Sequence, residues 1–286
     1  MATLIRDGLR SAERAFLAAG PSPEERLDAS GFAADAPDDY CPRCGLTVGP
    51  HEFDGERCAT CRSARQRYGG VVRLGAYGGP LRDAIHEFKF DRWPTMGERL
   101  GRALGAAIRE RLALVAAHAG EREADVVERA AIVPVPSTLL RRMARGIDHS
   151  AILSRAVARA AGLPLQRGLL RRHVPAQAGL SVVARHRNMR GTMSLAVPPS
   201  DLAGLRVLVV VDDVLTTGAT MSEAVRALSA AFPRGEAPAM LAAVIARADG
   251  PERRPPVAEG MRQGVREDGQ PGGASQKNWS PPPPDA

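Results

Sequence analysis

Cys41-Pro-Arg-Cys44 and Cys58-Ala-Thr-Cys61 are two C-x-x-C pairs separated by thirteen residues. In each pair a tight turn aims two thiolates at one point, and two such knuckles complete a tetrahedral sulfur shell suited to Zn²⁺. Gly45 fits the turn that the first knuckle needs. A disulfide pair or free thiols are the competing reading. No secretion signal supports disulfides, and a lone redox C-x-x-C would not be duplicated within so short a segment. Four cysteine ligands leave no open coordination position, so the spacing predicts a structural metal and not a catalytic one. Arg43, Arg62, Arg65 and Arg67 fit nucleic-acid contact and plain solvation equally well.

The second grouping runs Leu208-Val-Val-Val-Asp212-Asp213-Val-Leu-Thr216-Thr217-Gly218-Ala219-Thr220. An apolar strand ends in two acids, and a short hydroxyl-rich loop leads into a helix. In open α/β sheets ligands bind at the carboxyl ends of strands, where this loop must lie. A phosphate there would receive unpaired backbone N–H groups and the positive end of the helix dipole, with threonine hydroxyls as further donors. Gly218 lets the backbone approach the anion. Like charge keeps Asp212 and Asp213 off that phosphate; they suit the next group along, a sugar diol or its Mg²⁺. A Walker B strand also ends in acids, but no G-x-x-x-x-G-K-[ST] loop accompanies it, which excludes a P-loop NTPase. No G-x-G-x-x-G supports a dinucleotide site.

Charge concentrates beside this motif. Residues 134–190 hold eleven Arg and one acid, Asp148, a net +10, whereas the 286-residue chain as a whole is only +7. The remainder is therefore mildly acidic, and the dense block predicts a site for phosphates. Only Lys89 and Lys277 are lysines.

The elements that position these groups alternate. Val71 to Tyr77 reads as a strand, followed by helices from Leu81 and over 96–118. Ala131 to Val135 is a buried strand, 148–161 a helix, Leu205 to Val211 a strand covered on both faces, 219–231 a helix and Met240 to Ala246 a final strand. Alternation of this kind indicates an α/β domain with a mostly parallel sheet. The expected organisation is an N-terminal amphipathic helix (Ile5, Leu9, Ala12, Phe16) and linker over 1–39, a zinc ribbon over 40–68, the α/β domain over 69–247, and a Pro/Gly-rich tail over 248–286 that cannot offset its ordering entropy and is expected to be disordered. Pro281 to Pro284 reads as a polyproline II ligand or an inert tail. No apolar run approaches the ~18 residues of a membrane span, and Arg6, Asp7, Arg10, Glu13 and Arg14 interrupt any signal-peptide core, so the expected location is cytoplasmic without membrane insertion.

Residues 208–220 resemble the phosphoribosyl pyrophosphate (PRPP) signature of type I phosphoribosyltransferases. The ordered set of four-Cys ribbon, Ala131-Ile-Val-Pro-Val-Pro136, Arg145-Gly146, Gln177, Arg185 with Asn188, and this loop resembles the ComF family of competence-related proteins over roughly 40–247. The resemblance implies a type I phosphoribosyltransferase-like, mostly parallel sheet flanked by helices and preceded by a small zinc ribbon. It implies that Asp212 and Asp213 hold the ribose hydroxyls and that Thr216, Thr217, Gly218, Ala219 and Thr220 hold the 5′-phosphate. Ser137 and Thr138 take the place of the pyrophosphate loop, and Arg145 and Arg185 the place of catalytic cations. The stretch 172–188 would be a mobile cover, and Lys89 falls where the family has a lysine. Two departures stand out: Arg145-Gly-Ile147-Asp148-His149 replaces the usual Arg-Gly-Phe-Asn-Gln, and Gly191-Thr192-Met193 replaces Gly-Ala-Phe. Asp148 puts a negative charge where an amide is expected.

Three functions fit these residues. The first is transfer of a phosphoribosyl group from PRPP with Mg²⁺ to an acceptor that the sequence does not identify. The second is a non-catalytic PRPP- or nucleotide-binding protein in DNA uptake. The third is a zinc-ribbon binder of single-stranded DNA with the α/β domain as scaffold. The expected partners are PRPP or a phosphoribosyl nucleotide, with single-stranded DNA or the DNA-uptake machinery as the alternative.

Overall fold

The structure, a computed structural model, describes residues 21–49, 51–53, 57–63, 66–90, 93–138, 147–172 and 182–249. Four parallel strands form the central sheet in the order β1 (Gly70–Ala76), β6 (Ala239–Arg247), β5 (Val207–Leu215), β2 (Ala130–Pro134). Both faces are covered, so the strands are apolar on successive residues. Val207, Val209 and Val211 enter one core while Leu208 and Val210 enter the other. The expected strands are present. The strand expected to end at Val211 continues to Leu215, so Asp212 and Asp213 belong to β5, with Asp212 opposite Val244 of β6.

On one face lie α3 (Gly79–Phe90), α4 (Pro94–Ala119) and α6 (His149–Ala161), packed around Leu100, Leu104, Ile108, Leu153 and Val157. The α4–α6 contact depends on small residues. A Cβ at Gly101 would stand 2.5 Å from Ala156 Cβ, and one at Gly105 would stand 2.6 Å from Ala160 Cβ and 2.8 Å from the Val157 carbonyl. Such distances are well inside van der Waals contact. The short α5 (Glu123–Glu128) leads from α4 into β2. The opposite face is covered by α8 (Ala219–Ser229) and by the antiparallel pair β3 (Leu169–Arg171) and β4 (Met193–Leu195), with α7 (Val182–Met189) between them in sequence.

The stretch before residue 39 that was expected to be a linker contains a helix. Pro23–Ala29 forms a helix, α1, with a full capping box: Ser22 Oγ accepts from Glu25 N–H while the Glu25 carboxylate accepts from Ser22 N–H. Leu27 is buried in the core, Arg99 pairs with Asp28, and Arg26 pairs with Glu87. The signal Ser22-Pro-Glu-Glu25 was legible in the sequence; the surrounding Pro and Gly hid it. The helix expected around Ile5 to Phe16, and the tail from 250 onward with Pro281 to Pro284, lie outside the described residues.

Candidate phosphate and thiolate sites

The strands are parallel, so all carboxyl ends meet at one edge. There Asp212 and Asp213 sit side by side, and Asp213 N–H donates to Asp212 Oδ1 at 2.9 Å. Lys89, in the last turn of α3, reaches Asp213 with Nζ–Oδ2 at 2.9 Å. Asp212 keeps a partly exposed edge, yet burial and then the neighbouring Asp213 charge push its carboxyl up to about 7; Lys89 and Arg171 oppose that rise. A carboxyl held so close to neutrality has an unmet demand for positive charge or hydroxyl donors. A sugar diol and a hard cation both meet that demand.

Beyond Leu215 the chain turns through Thr216 and Thr217 to Gly218, which adopts φ +76° and opens α8 without any side-chain cap. A residue with a Cβ would be strained there. Thr216 is exposed, and Thr217 Oγ1 accepts from Ala219 N–H at 3.4 Å. Three other residues shape this loop. His186 Nε2–H on α7 donates to the Thr217 carbonyl at 3.1 Å. The buried Tyr68 places its hydroxyl 3.4 Å from where a Gly218 Cβ would be. Arg247, at the end of β6, donates from Nη1 to the carbonyls of Leu215 (2.9 Å) and Thr216.

Pro134 is in register with Val211, and Val135 N–H donates to the Val211 carbonyl at 2.8 Å. Ser137 and Thr138 therefore follow immediately past the strand end next to the acids; Thr138 is buried. The segment from β3 to β4 is held to α8 by Glu223. Burial alone would raise its carboxyl, but two hydrogen bonds from Arg226 and one from Met193 N–H hold it below the ordinary range. Arg185 is exposed and Asn188 half-buried on α7. Arg145, Gly146 and Gln177 lie outside the described residues. The +10 block is not a single surface: Arg171 acts on Asp212, whereas Arg155 and Arg159 line an open groove with Leu163 and Leu165.

The four cysteines are buried and their sulfurs lie within 4.8 Å of one another. A tetrahedron with metal–sulfur bonds of about 2.3 Å has edges of about 3.8 Å. The Sγ–Sγ distances are 3.8 Å for Cys41–Cys61 and 3.5 Å for Cys44–Cys58, which fits a metal shell and is far too long for disulfides. Cys41 is held below its ordinary range by hydrogen bonds with Cys44, then Cys58 and Cys61, whereas its contacts push Cys44 up. Binding of a cation to four thiolates releases whatever protons the thiols carry.

This module, whose second knuckle runs into the short helix α2 (Ala59–Ser63), is fixed to β1. Val71 N–H donates to the Pro42 carbonyl at 2.8 Å, and the buried Arg73 donates to the Gly45 carbonyl (2.6 Å) and Thr47 Oγ1 (2.9 Å). Arg73 also pairs with Asp35 at 2.6 Å.

No protein-family model matches the chain. It is similar to competence protein F of Haemophilus influenzae, 30% identical over 186 residues that cover 64% of this chain and 76% of that protein. The chain belongs to the ComF family. It is also similar to proteins named DNA utilization protein YhgH, at 31% identity over 185 residues in Salmonella typhi and 29% over 190 in Escherichia coli K12, covering 74% of each. No described helix is long and apolar enough to cross a membrane.

In this ComF chain the two sequence departures have local explanations. Asp148 is the N-cap of α6, where its Oδ1 accepts from Ala151 N–H at 3.1 Å, a job Asn does equally well. His149 is buried with its ring edge-on to Phe88, 5.0 Å between centroids. Met193 is buried in the core against α8, so an apolar side chain is retained there. Sequence reasoning missed His186, Tyr68 and Arg247, because what they touch at the loop is backbone far away along the chain.

Proposed function

We propose that this ComF-family protein binds PRPP with Mg²⁺ and transfers its phosphoribosyl group. The observation that carries the reading is the joint placement, at one strand end, of two adjacent carboxyls, Asp212 being pushed up by burial, and a helix opened by Gly218, which has no capping side chain of its own. The loop Thr216 to Thr220 takes the 5′-phosphate, and Asp212 and Asp213 take the ribose hydroxyls. Ser137 and Thr138, with Arg185, take the pyrophosphate in this reading, and the family resemblance assigns Arg145 to the same group. Mg²⁺, held through the carboxylates and the substrate's own oxygens, would neutralise charge on the leaving pyrophosphate. As the C1–O bond breaks, its electron pair leaves with pyrophosphate, and the acceptor's lone pair forms the new bond to C1. The carboxylates favour the developing positive charge on the sugar. The metal in the thiolate cluster is Zn²⁺ in this reading, and with four cysteine ligands it takes no part in the chemical step.

The names of the relatives, a competence protein and DNA utilization proteins, support a role in uptake or use of DNA. Cytoplasmic residence fits that role and the supply of PRPP. Calorimetry with PRPP and Mg²⁺ tests the reading: measurable binding that is lost in Asp212→Ala/Asp213→Ala supports it, and absent binding overturns it. Pyrophosphate release over a panel of nucleobases then separates transfer from binding without turnover.

A further inference from the structure

The thiolate cluster and the phosphate loop meet at one side chain. Arg247 Nε donates to the Cys44 carbonyl at 3.1 Å, while Nη1 donates to the carbonyls of Leu215 (2.9 Å), Thr216 and Ala248 (2.8 Å). Cys44 closes the first knuckle; Leu215 and Thr216 begin the loop. A guanidinium has donors on separate nitrogens in a rigid plane, so one group can span both partners, which a single ammonium cannot.

The contact also orients the loop. In a trans peptide the carbonyl and the following N–H point in opposite directions, and no described peptide is cis. With the Leu215 and Thr216 carbonyls turned towards Arg247, the N–H groups of Thr216 and Thr217 point away from it, towards the side open to an anion. The charge of Arg247 behind the loop favours that anion further.

Tyr68 also reaches the loop. Tyr68 follows the second knuckle by seven residues, is buried, and has its hydroxyl at Gly218.

We propose that Arg247 is a positioning residue that couples the two sites: a metal in the four-cysteine cluster strengthens anion binding at the 216–220 loop, and the bound anion slows loss of the metal. Linkage requires the two effects to be reciprocal. The ligand half of the proposal rests on the loop being a phosphate site as read above; the loop-ordering half does not.

The experiment uses the full chain, zinc-loaded and chelator-treated, as wild type, Arg247→Ala and Arg247→Lys. Hydrogen exchange at the amides of residues 216–220 reads loop order without any ligand. Calorimetry with Mg²⁺-PRPP reads affinity, and a chromogenic chelator reads the zinc release rate with and without PRPP.

Zinc is expected to slow loop exchange in the wild type and not in Arg247→Ala, to raise PRPP affinity about tenfold in the wild type only, and to be released more slowly when PRPP is present. Arg247→Lys keeps the charge behind the loop and so recovers affinity, but not the dependence on zinc. Loop exchange that ignores zinc in the wild type overturns the proposal whether or not PRPP binds. So does a zinc effect of full size in Arg247→Ala. If the chelated protein unfolds, the loaded proteins decide: identical loop exchange in the wild type and Arg247→Ala overturns the proposal. Absence of PRPP binding alongside zinc-dependent loop exchange overturns the phosphate reading instead.

Discussion

Replacing Asp212 by Asn removes a charge that the fold holds at a cost. The folded carboxyl is raised to about 7, first by burial and then by Asp213, against about 3.9 in an unfolded chain. A raised carboxyl means that the native state binds the proton more tightly than the unfolded state does. The stability it contributes is complete below pH ~4 and is lost as pH rises through about 7. Roughly three pKa units correspond to about 4 kcal/mol, and solvent screening at the exposed edge of Asp212 reduces this to about 2–4 kcal/mol. Asn keeps the shape and still accepts from Asp213 N–H, but never ionises. Asp212→Asn should therefore match the wild type near pH 4 and exceed it by about 2–4 kcal/mol at pH 8. For an ordered region of this size that is roughly 4–16 °C in Tm. Thermal melts of both proteins across pH 4–8 make the comparison, and the difference curve cancels the titrating groups that do not interact with Asp212. A difference that stays flat with pH, or an Asn variant that is the less stable at pH 8, would refute the account of Asp212. The same variant should lose PRPP affinity, because it accepts fewer hydrogen bonds from a diol, so stability and binding move in opposite directions.

Lys89→Met deprives Asp213 of its ion pair and removes one of the two cations that restrain Asp212; PRPP binding should weaken at pH 7 and its pH dependence should move to the alkaline side, as calorimetry at several pH values would show. Gly105→Ala should destabilise by about 1–3 kcal/mol in urea denaturation, because the overlap with Ala160 and Val157 outweighs the ~1 kcal/mol gained in helix propensity. Arg226→Ala leaves the buried Glu223 without its main partner and should loosen β3–β4 from α8, read as faster proteolytic cleavage within 169–195 with little change in metal content. Cys44→Ser should lower zinc content well below one equivalent and reduce stability, measured by metal analysis and melting.

The parallel sheet was legible because burial on both faces leaves successive apolar residues, as in Val207 to Val211. The acids and the Thr-Thr-Gly loop were legible because phosphate chemistry constrains residue types over a few adjacent positions. The limits of β5 were not, since Asp212 and Asp213 look like a strand terminus by polarity although the strand runs on through them to Leu215. The partner of Lys89 was beyond reach: its single ammonium meets Asp213 only once α3 is folded onto the sheet. Arg247 resisted for a different reason. Three of its four contacts are to carbonyls at least 31 residues away, and carbonyls carry no sequence signature. Charge counting also overstated the basic block, since helix geometry sends Arg155 and Arg159 to a different face from Arg171.

β1 is the terminal strand of the sheet, and its outer edge is occupied by the chain that runs into the first knuckle: Asp35 N–H donates to the Leu74 carbonyl and Val71 N–H to the Pro42 carbonyl, each at 2.8 Å. Val71, Val72 and Leu74 behind that edge are fully buried. An uncovered edge of this composition is a template for pairing with another chain. The thiolate knuckle thus also acts as a guard against self-association. Protein stripped of its metal should aggregate through β1 in a concentration-dependent way, and preparations kept with zinc should remain monodisperse.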